Sequence, residues 1–169
     1  KGITSVGAFA FSKCISLTTV TFSEGMTEIG YAAFQNCVQL SEITFPDRMI
    51  QIGDYAFSNC TKLNRVLFGK NLETIGDYAF LDCFSLQNVE FPTGLNHIGV
   101  SAFHDCRLIS ELDIPESVTY IGRSAFQNCN ALIEVCNKSS LNITAGSKNY
   151  GKVGYYAKHI IKDESETYF

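Results

Sequence analysis

Charged residues are scarce in this sequence, and basic residues are scarcer than acidic ones. Asp, Glu, Lys and Arg make up 18% of the 169 residues, against roughly 25% in an average soluble domain. The 13 Lys and Arg against 17 Asp and Glu give a net charge of −4, which disfavours a nucleic-acid-binding module because such modules are usually basic. No apolar run approaches the ~18 residues of a membrane span, so none is predicted. The 46% of hydrophobic residues excludes bulk disorder.

Four residue types recur along the chain with one common period of 23 residues. Each unit contains a Gly, an Ala, a Phe and a Cys in fixed order, as in Gly53, Ala56, Phe57 and Cys60. The Cys column lies at positions 14, 37, 60, 83, 106 and 129. Since one unit of this length cannot bury its own apolar face, stacked units must form the core.

The two halves of each unit have different apolar spacing. In the first half, alternate apolar residues such as Ile43 and Phe45 have the period of a strand with one buried face, and Pro46 then ends the strand. In the second half, an Ala-Phe pair followed by Cys predicts a short helix, and the preceding Gly suits a turn that a Cβ would hinder. The predicted strands lie at about 17–22, 40–45, 63–68, 86–91, 109–114 and 132–137.

The predicted fold class is therefore α/β, a solenoid of stacked 23-residue units. Its strands form one parallel sheet with a spacing of about 4.8 Å. Since helices are wider than strands, the sheet is expected on the concave face and the short helices on the convex face. The repeats are assigned to residues 1–141 with a truncated first unit, the C-terminal cap to 142–162 and a frayed tail to 163–169.

The chain begins within a unit, at Lys1, and shows no charged-then-apolar leader. We therefore expect a piece of a longer protein that lacks its upstream repeats. Such a piece is expected to be a monomer, or a dimer formed through an uncapped N-terminal edge.

The consensus of the unit reads F-P-x-x-(L/V/M)-x-x-I-G-x-x-A-F-x-x-C-x-x-L-x-x-(I/V)-x and is clearest in residues 43–65 and 89–111. It resembles the BspA-like class of leucine-rich repeats. The resemblance implies a right-handed leucine-rich repeat solenoid. The class is common among secreted and surface-anchored bacterial proteins and also occurs in parasitic protists, so the implied location is extracellular or at the cell surface. Some members are adhesins for host matrix or plasma proteins.

The six periodic cysteines are interpreted as a column of buried, reduced thiols. The alternative, a disulfide, needs Cβ atoms about 3.8 Å apart that point at each other, whereas stacked side chains run parallel. Zinc is disfavoured because finger ligands lie about two to four residues apart, and no metal or cofactor is predicted. The seventh, Cys136, is expected to be half-buried near the cap, or alternatively to be an accessible thiol on the concave face.

The outward positions of the predicted sheet form the candidate partner-binding surface. Their residues vary from unit to unit while the core columns stay constant. This surface is either a docking patch for a basic partner or a cation-bridged ligand, or a solvated face that only aids solubility. The candidate residues are Glu42, Arg65, Asn88, Glu90, Glu111, Asp113 and Glu134.

No catalytic constellation occurs in the sequence, and an enzyme is not predicted. The three histidines show no partner spacing, and His97 is expected to face solvent. There is neither a phosphate-binding Gly loop nor a G-x-S-x-G elbow. Tyr55 and Tyr78, with Tyr31 one position earlier in its unit, are interpreted as packing residues or alternatively as a small aromatic patch on the convex side.

These observations favour a noncatalytic protein-binding module of a cell-surface or secreted protein, which adheres to a host matrix or plasma protein through the concave face. The alternative is a structural spacer, whose repeats project another domain and have no ligand of their own. No nucleic-acid partner is expected.

Overall fold

The computed structural model describes residues 2–162 and shows a parallel-strand solenoid of roughly seven turns. The predicted frayed tail, 163–169, lies outside the described residues. In chain order the strands are β1 (Ser5–Val6), β2 (Glu28–Ile29), β3 (Glu42–Thr44), β4 (Gln51–Ile52), β5 (Arg65–Leu67), β6 (Thr74–Ile75), β7 (Asn88–Glu90), β8 (His97–Ile98), β9 (Glu111–Ile114), β10 (Tyr120–Ile121), β11 (Glu134–Asn137) and β12 (His159–Ile161).

The predicted strands of the first half-unit are present in shortened form, as β3, β5, β7, β9 and β11. They do not form one continuous sheet. Two three-stranded parallel sheets form instead, in the orders β3-β5-β7 and β12-β11-β9. The structure assigns no strand to 17–22, the first predicted range.

A second parallel sheet, absent from the sequence prediction, runs the length of the stack in the order β1-β2-β4-β6-β8-β10. Each of its strands has two residues, and from β2 onward a buried Ile follows an outward polar or aromatic residue, as in Gln51–Ile52. The strands pair in register, one unit apart, as Gln51 with Thr74. Two residues are too few to show an alternating pattern in the sequence, so periodicity could not find them.

The prediction of short helices on the convex side is wrong. Within residues 2–162 the only helical segment is a 3-10 turn, Tyr150–Lys152. The backbone amides of the second half-unit alternate between two partners. That of Phe57 donates to the carbonyl oxygen of Ala79 in the next coil (2.8 Å), whereas that of Cys60 donates to Phe57 in its own coil (3.2 Å).

Two left-handed residues in each unit prevent a helix from forming. In one unit these are Tyr55 and Asn59, with φ of 56° and 60°. A left-handed residue is excluded from an α-helix of L-amino acids. The chain therefore makes successive β-turns, and the Ala-Phe-x-x-Cys spacing that suggested a helix satisfies these turns equally well.

The periodic glycine was predicted to allow a turn, but its role in the structure is different. Gly99 does not have a positive φ. A Cβ on it would instead lie 2.5 Å from the carbonyl carbon of Gly76 and 2.6 Å from the amide nitrogen of Asp77. These are backbone atoms of the preceding coil, so glycine is needed here for the close approach of two coils.

The core consists of residue columns that run along the stack. Five phenylalanines of one column are fully buried, and neighbouring rings stack with centroids 5.2–5.4 Å apart. A second column meets it edge-on, as Phe68 meets Phe80 at 5.9 Å. The stacked column comprises Phe34, Phe57, Phe80, Phe103 and Phe126.

The cysteine column lies beside the phenylalanine column, and its thiols are free. Five of the six periodic cysteines are buried, while Cys14 in the first coil is exposed. Each buried thiol donates to the carbonyl oxygen of the phenylalanine 26 residues earlier, as Cys83 does to Phe57 at 3.3 Å. Burial raises the pKa of Cys37 to about 11.

Candidate partner-binding surface

The outward side chains of β3, β5, β7, β9 and β11 form one surface, here called the strand face. In each three-residue strand the middle residue is buried and the outer two are exposed, as for Val66 between Arg65 and Leu67. This is the alternation expected of a strand with one face on the core. All seven candidate residues are exposed on this face.

The candidates stand in register across the strands. Glu42 is paired with Arg65, and Arg65 with Asn88. In the other sheet Glu111 is paired with Glu134. Side chains directly opposite one another on neighbouring strands are close enough to interact, and like charges in that position repel.

An acidic depression lies where the two three-stranded sheets meet, since β7 lies beside β9. Glu90, Glu111 and Asp113 line it, together with Asn88 and Phe91. The depression is shallow and open to solvent. Such a surface suits the docking of a large partner better than the enclosure of a small molecule.

One of these carboxylates is already engaged. The Nζ of Lys138 lies 3.3 Å from the Oδ2 of Asp113, an exposed ion pair. Lys138, Lys162 and Glu116 line a further depression, to which Asp113 also contributes. The C-terminal end of the strand face therefore carries mixed charge. Within residues 2–162, Glu90 and Glu111 are the acidic residues of the depression that form no ion pair.

Cys136 is buried, so neither the expected half-buried thiol nor the alternative of an accessible thiol is correct. The residue is only 9% exposed, although it occupies the outward column that also holds Asp113. The strand β12 pairs with β11 and sets Ile161 opposite Cys136. This last strand covers a position that is exposed in the earlier units.

The six-stranded sheet presents a separate outward column. His97 is half-buried rather than fully solvated, and its ring stacks on Tyr120 with centroids 4.5 Å apart. Among residues 2–162, His97 forms no hydrogen bond or ion pair with any candidate residue of the strand face.

The tyrosines identified in the sequence form a row on the turn side. Tyr31 and Tyr55 have centroids 5.7 Å apart, and Tyr55 stacks on Tyr78 at 4.7 Å. Phe9 extends the row by an edge contact with Tyr31 at 5.2 Å. Burial and the neighbouring tyrosines raise the pKa of Tyr55.

Sequence reasoning missed a cluster on the turn side that contains Asp82, His104 and Asp105. Their ligand atoms all lie within 4.8 Å of one another. Burial, followed by the charge of Asp105, raises the pKa of Asp82. Burial would also raise the pKa of Asp105, but hydrogen bonds from Arg107 and Asn128 lower it below its ordinary value. The available signal was the 23-residue separation of the two aspartates, with a histidine beside the second.

The fold and the strand face define a repeat solenoid of the leucine-rich repeat class. The family described as BspA type leucine rich repeat region matches in six copies, over residues 1–109 and 61–151. The chain therefore belongs to this family, as the resemblance of its consensus predicted. A comparison with curated proteins gives no match.

Solved structures of bacterial leucine-rich repeat proteins are similar to the chain. One from Bacteroides ovatus is 36% identical, with a TM-score of 0.62 over 78% of this chain and 33% of its own. The T. pallidum protein is 27% identical, with a TM-score of 0.71 over 93% of this chain and 76% of its own. The pneumococcal vaccine antigen PcpA, 17% identical over 84% of this chain and 40% of its own, shares the fold with a TM-score of 0.66.

The chain spans about a third of the length of the Bacteroides ovatus protein. Within residues 2–162 no helix has the length and apolar character that crossing a membrane requires.

Proposed function

We propose that this chain is a noncatalytic protein-binding module of a bacterial cell-surface or secreted protein, and that its partner docks on the strand face. The observation that carries the proposal is the contrast between fixed core columns and a varied outer surface. Phe57, Phe80 and Phe103 repeat one residue in one buried column, whereas Glu42, Arg65 and Asn88 differ from one another in one exposed column.

The charge of the strand face favours a partner with a basic surface. Glu90 and Glu111 line the same open depression and are not engaged in an ion pair among residues 2–162. Their carboxylates are available to lysine and arginine side chains, which bind carboxylates by charge-assisted hydrogen bonds. Membership of the BspA type family supports adhesion to a host matrix or plasma protein as the biological setting.

The C-terminal segment 142–162 is proposed to be the cap of the module. Its strand β12 pairs with β11, the last strand of the repeats. Val153 and Ala157 are buried, as expected of a segment that covers the open end of a repeat core.

A binding screen against purified extracellular-matrix proteins, plasma proteins and glycans tests the proposal. The wild-type chain is compared with the triple variant Glu90→Lys/Glu111→Lys/Asp113→Lys. We expect a protein partner that binds the wild type and is lost in the variant. A partner retained by the variant would place the binding site outside the strand face.

The second candidate function is that of a structural spacer. Two features favour this function. The depressions are shallow and give a partner little to fit into, and the ion pair with Lys138 partly neutralises the charge of Asp113. A spacer is expected to bind no member of the panel, and its variants are expected to behave like the wild type.

A further inference from the structure

We propose that Asp82, His104 and Asp105 form a binding site for a divalent transition-metal ion, with Zn²⁺ as the expected ligand. The site lies on the turn side of the solenoid, away from the strand face, and is independent of the function proposed above. Four observations support it: the placement of the three side chains, the environment of the imidazole, the contacts that hold the Asp105 carboxylate, and the lack of a hydrogen-bond partner for the Asp82 carboxylate among residues 2–162.

The repeat itself places the two carboxylates together. Asp82 and Asp105 occupy the same position in successive coils, each with a left-handed backbone, at φ of 59° and 63°. The amide of Asp82 donates to the carbonyl oxygen of His104 at 3.0 Å, which ties the two coils together at this point. The three potential ligand atoms lie within 4.8 Å of one another, so a small movement of the half-buried Asp82 side chain closes them around one ion.

The imidazole of His104 has a buried nitrogen that no hydrogen bond satisfies. Its Nδ1 lies 2.8 Å from the Oδ2 of Asp105, but the approach lacks hydrogen-bond geometry, and no other partner for this atom exists within residues 2–162. Buried polar nitrogens are normally satisfied. Two ligands bonded at about 2.1 Å to one ion lie roughly 3 Å apart, so the observed separation suits a shared cation.

Neighbouring residues hold the Asp105 carboxylate in place. Arg107 contacts its Oδ1 through Nε at 2.9 Å and through a terminal nitrogen at 2.8 Å. The Nδ2 of Asn128 donates to Oδ2 at 3.2 Å. Hydrogen bonds of this kind orient metal-ligating carboxylates, and the Arg107 charge lies on the oxygen that is not shared with His104.

The Asp82 carboxylate has no hydrogen-bond partner among residues 2–162 and is half-buried beside a second carboxylate. A bound cation would relieve the repulsion between the two acids. One imidazole nitrogen with two carboxylate oxygens is a donor set that suits Zn²⁺ and its first-row neighbours better than Ca²⁺, which prefers oxygen ligands alone. The partial exposure of His104 and Asp82 leaves a path for the ion from solvent.

Isothermal titration calorimetry with Zn²⁺ on the 169-residue chain tests the site. Because the exposed Cys14 is itself a potential zinc ligand, all proteins carry Cys14→Ser. The two test variants take residues from the same columns of other coils. Asp82→Asn introduces the residue type that Asn59 has at the equivalent position of the preceding coil. His104→Gln introduces the residue type that Gln127 has at the equivalent position of the following coil. The turn conformation is thereby retained, and circular dichroism checks the fold.

We expect one Zn²⁺ per chain, an affinity reduced about tenfold or more in each test variant, and an unchanged affinity in the control His97→Gln. Ca²⁺ is expected not to compete. Binding of Co²⁺ in place of Zn²⁺ is expected to give a spectrum without a thiolate charge-transfer band. Failure of the Cys14→Ser protein to bind Zn²⁺, a loss in only one of the two test variants, or an equal loss in His97→Gln would overturn the site.

Discussion

The thiol of Cys60 donates a hydrogen bond to the carbonyl oxygen of Phe34, at an Sγ to oxygen distance of 3.3 Å. The two residues are 26 positions apart, so the bond joins one coil to the preceding one. The same bond recurs at 3.1–3.3 Å along the whole stack. The cysteine column therefore satisfies backbone carbonyls inside the core and fills space there, which explains a thiol at this position without any redox or metal chemistry.

Raising the pH above about 9 is expected to destabilise the protein through these thiols. Burial raises the pKa of Cys37 from an ordinary value of 9.0 to about 11, and burial also raises the pKa of Cys60. The folded state thus holds these protons more tightly than the unfolded chain does. The stabilisation is complete below pH 9 and is lost as the pH rises toward the folded pKa values.

Urea unfolding at a series of pH values between about 8 and 11 measures this effect. The variant Cys60→Ala lacks one of the thiols, and its free energy of unfolding is expected to fall less steeply with pH than that of the wild type. Identical slopes would contradict the assignment of the alkaline destabilisation to the cysteine column.

Thiol labelling of the folded protein is expected to modify Cys14 first. Cys14 is exposed, whereas the other six cysteines, including Cys136, are buried. With a chromogenic thiol reagent we expect one rapid equivalent under native conditions and all seven after denaturation. Cys14→Ser is expected to abolish the rapid equivalent, and its persistence in that variant would show that another cysteine is accessible.

Phe80→Ala is expected to lower the free energy of unfolding by about 3–5 kcal/mol, because it removes a fully buried ring that stacks on Phe57 and Phe103. Glu111→Ala, on the exposed strand face, is expected to change it by less than about 0.5 kcal/mol. Urea titration of both variants gives the comparison. Similar losses of unfolding free energy in the two variants would mean that Phe80 is not in the core or that Glu111 is not on the exposed surface.

The left-handed turn residues offer a test of the corrected turn structure. Asn36 has a φ of 62° and lies in the position where a helix was predicted. Asn36→Val is expected to destabilise the protein by about 1–3 kcal/mol, since β-branched residues resist this conformation, while Asn36→Gly is expected to be nearly neutral. In a helix the order would reverse, so a more stable valine variant would contradict the turn.

The core and the strand face were predictable because both follow from repetition. The core column of Phe57, Phe80 and Phe103 can be recognised in the sequence because its residues recur every 23 positions. The alternation of apolar residues in the first half-unit then predicts that Glu42 and Arg65 face outward. No dihedral or pairing detail is needed for either inference. The seven predicted surface residues are exposed for this reason.

The turn half of the unit was not predictable in the same way. The spacing of Ala56, Phe57 and Cys60 is compatible with a helix and with successive turns, and the difference lies in the sign of φ at Tyr55 and Asn59. The left-handed conformation is favoured mainly by glycine, asparagine and aspartate. A tyrosine in the sequence therefore does not indicate a left-handed position.

Two further features depend on contacts between distant parts of the chain. The burial of Cys136 results from the pairing of β12 with β11, which repeat periodicity does not encode because the last segment departs from the repeat. Stacking of equivalent positions places Asp82 beside Asp105, but the proximity of Asp82 to His104 depends on the left-handed turns that stand in place of the expected helix.

Two double variants of equal charge change test most directly whether the partner binds the strand face. Glu90→Lys/Glu111→Lys alters the strand face, whereas Glu28→Lys/Glu73→Lys alters exposed acids on or beside the six-stranded sheet. Affinity for the partner found in the panel is measured for both by surface plasmon resonance. We expect the strand-face variant to lose binding and the matched variant to keep it. Equal loss in both, retention in both, or a panel without any partner would contradict a binding site on the strand face.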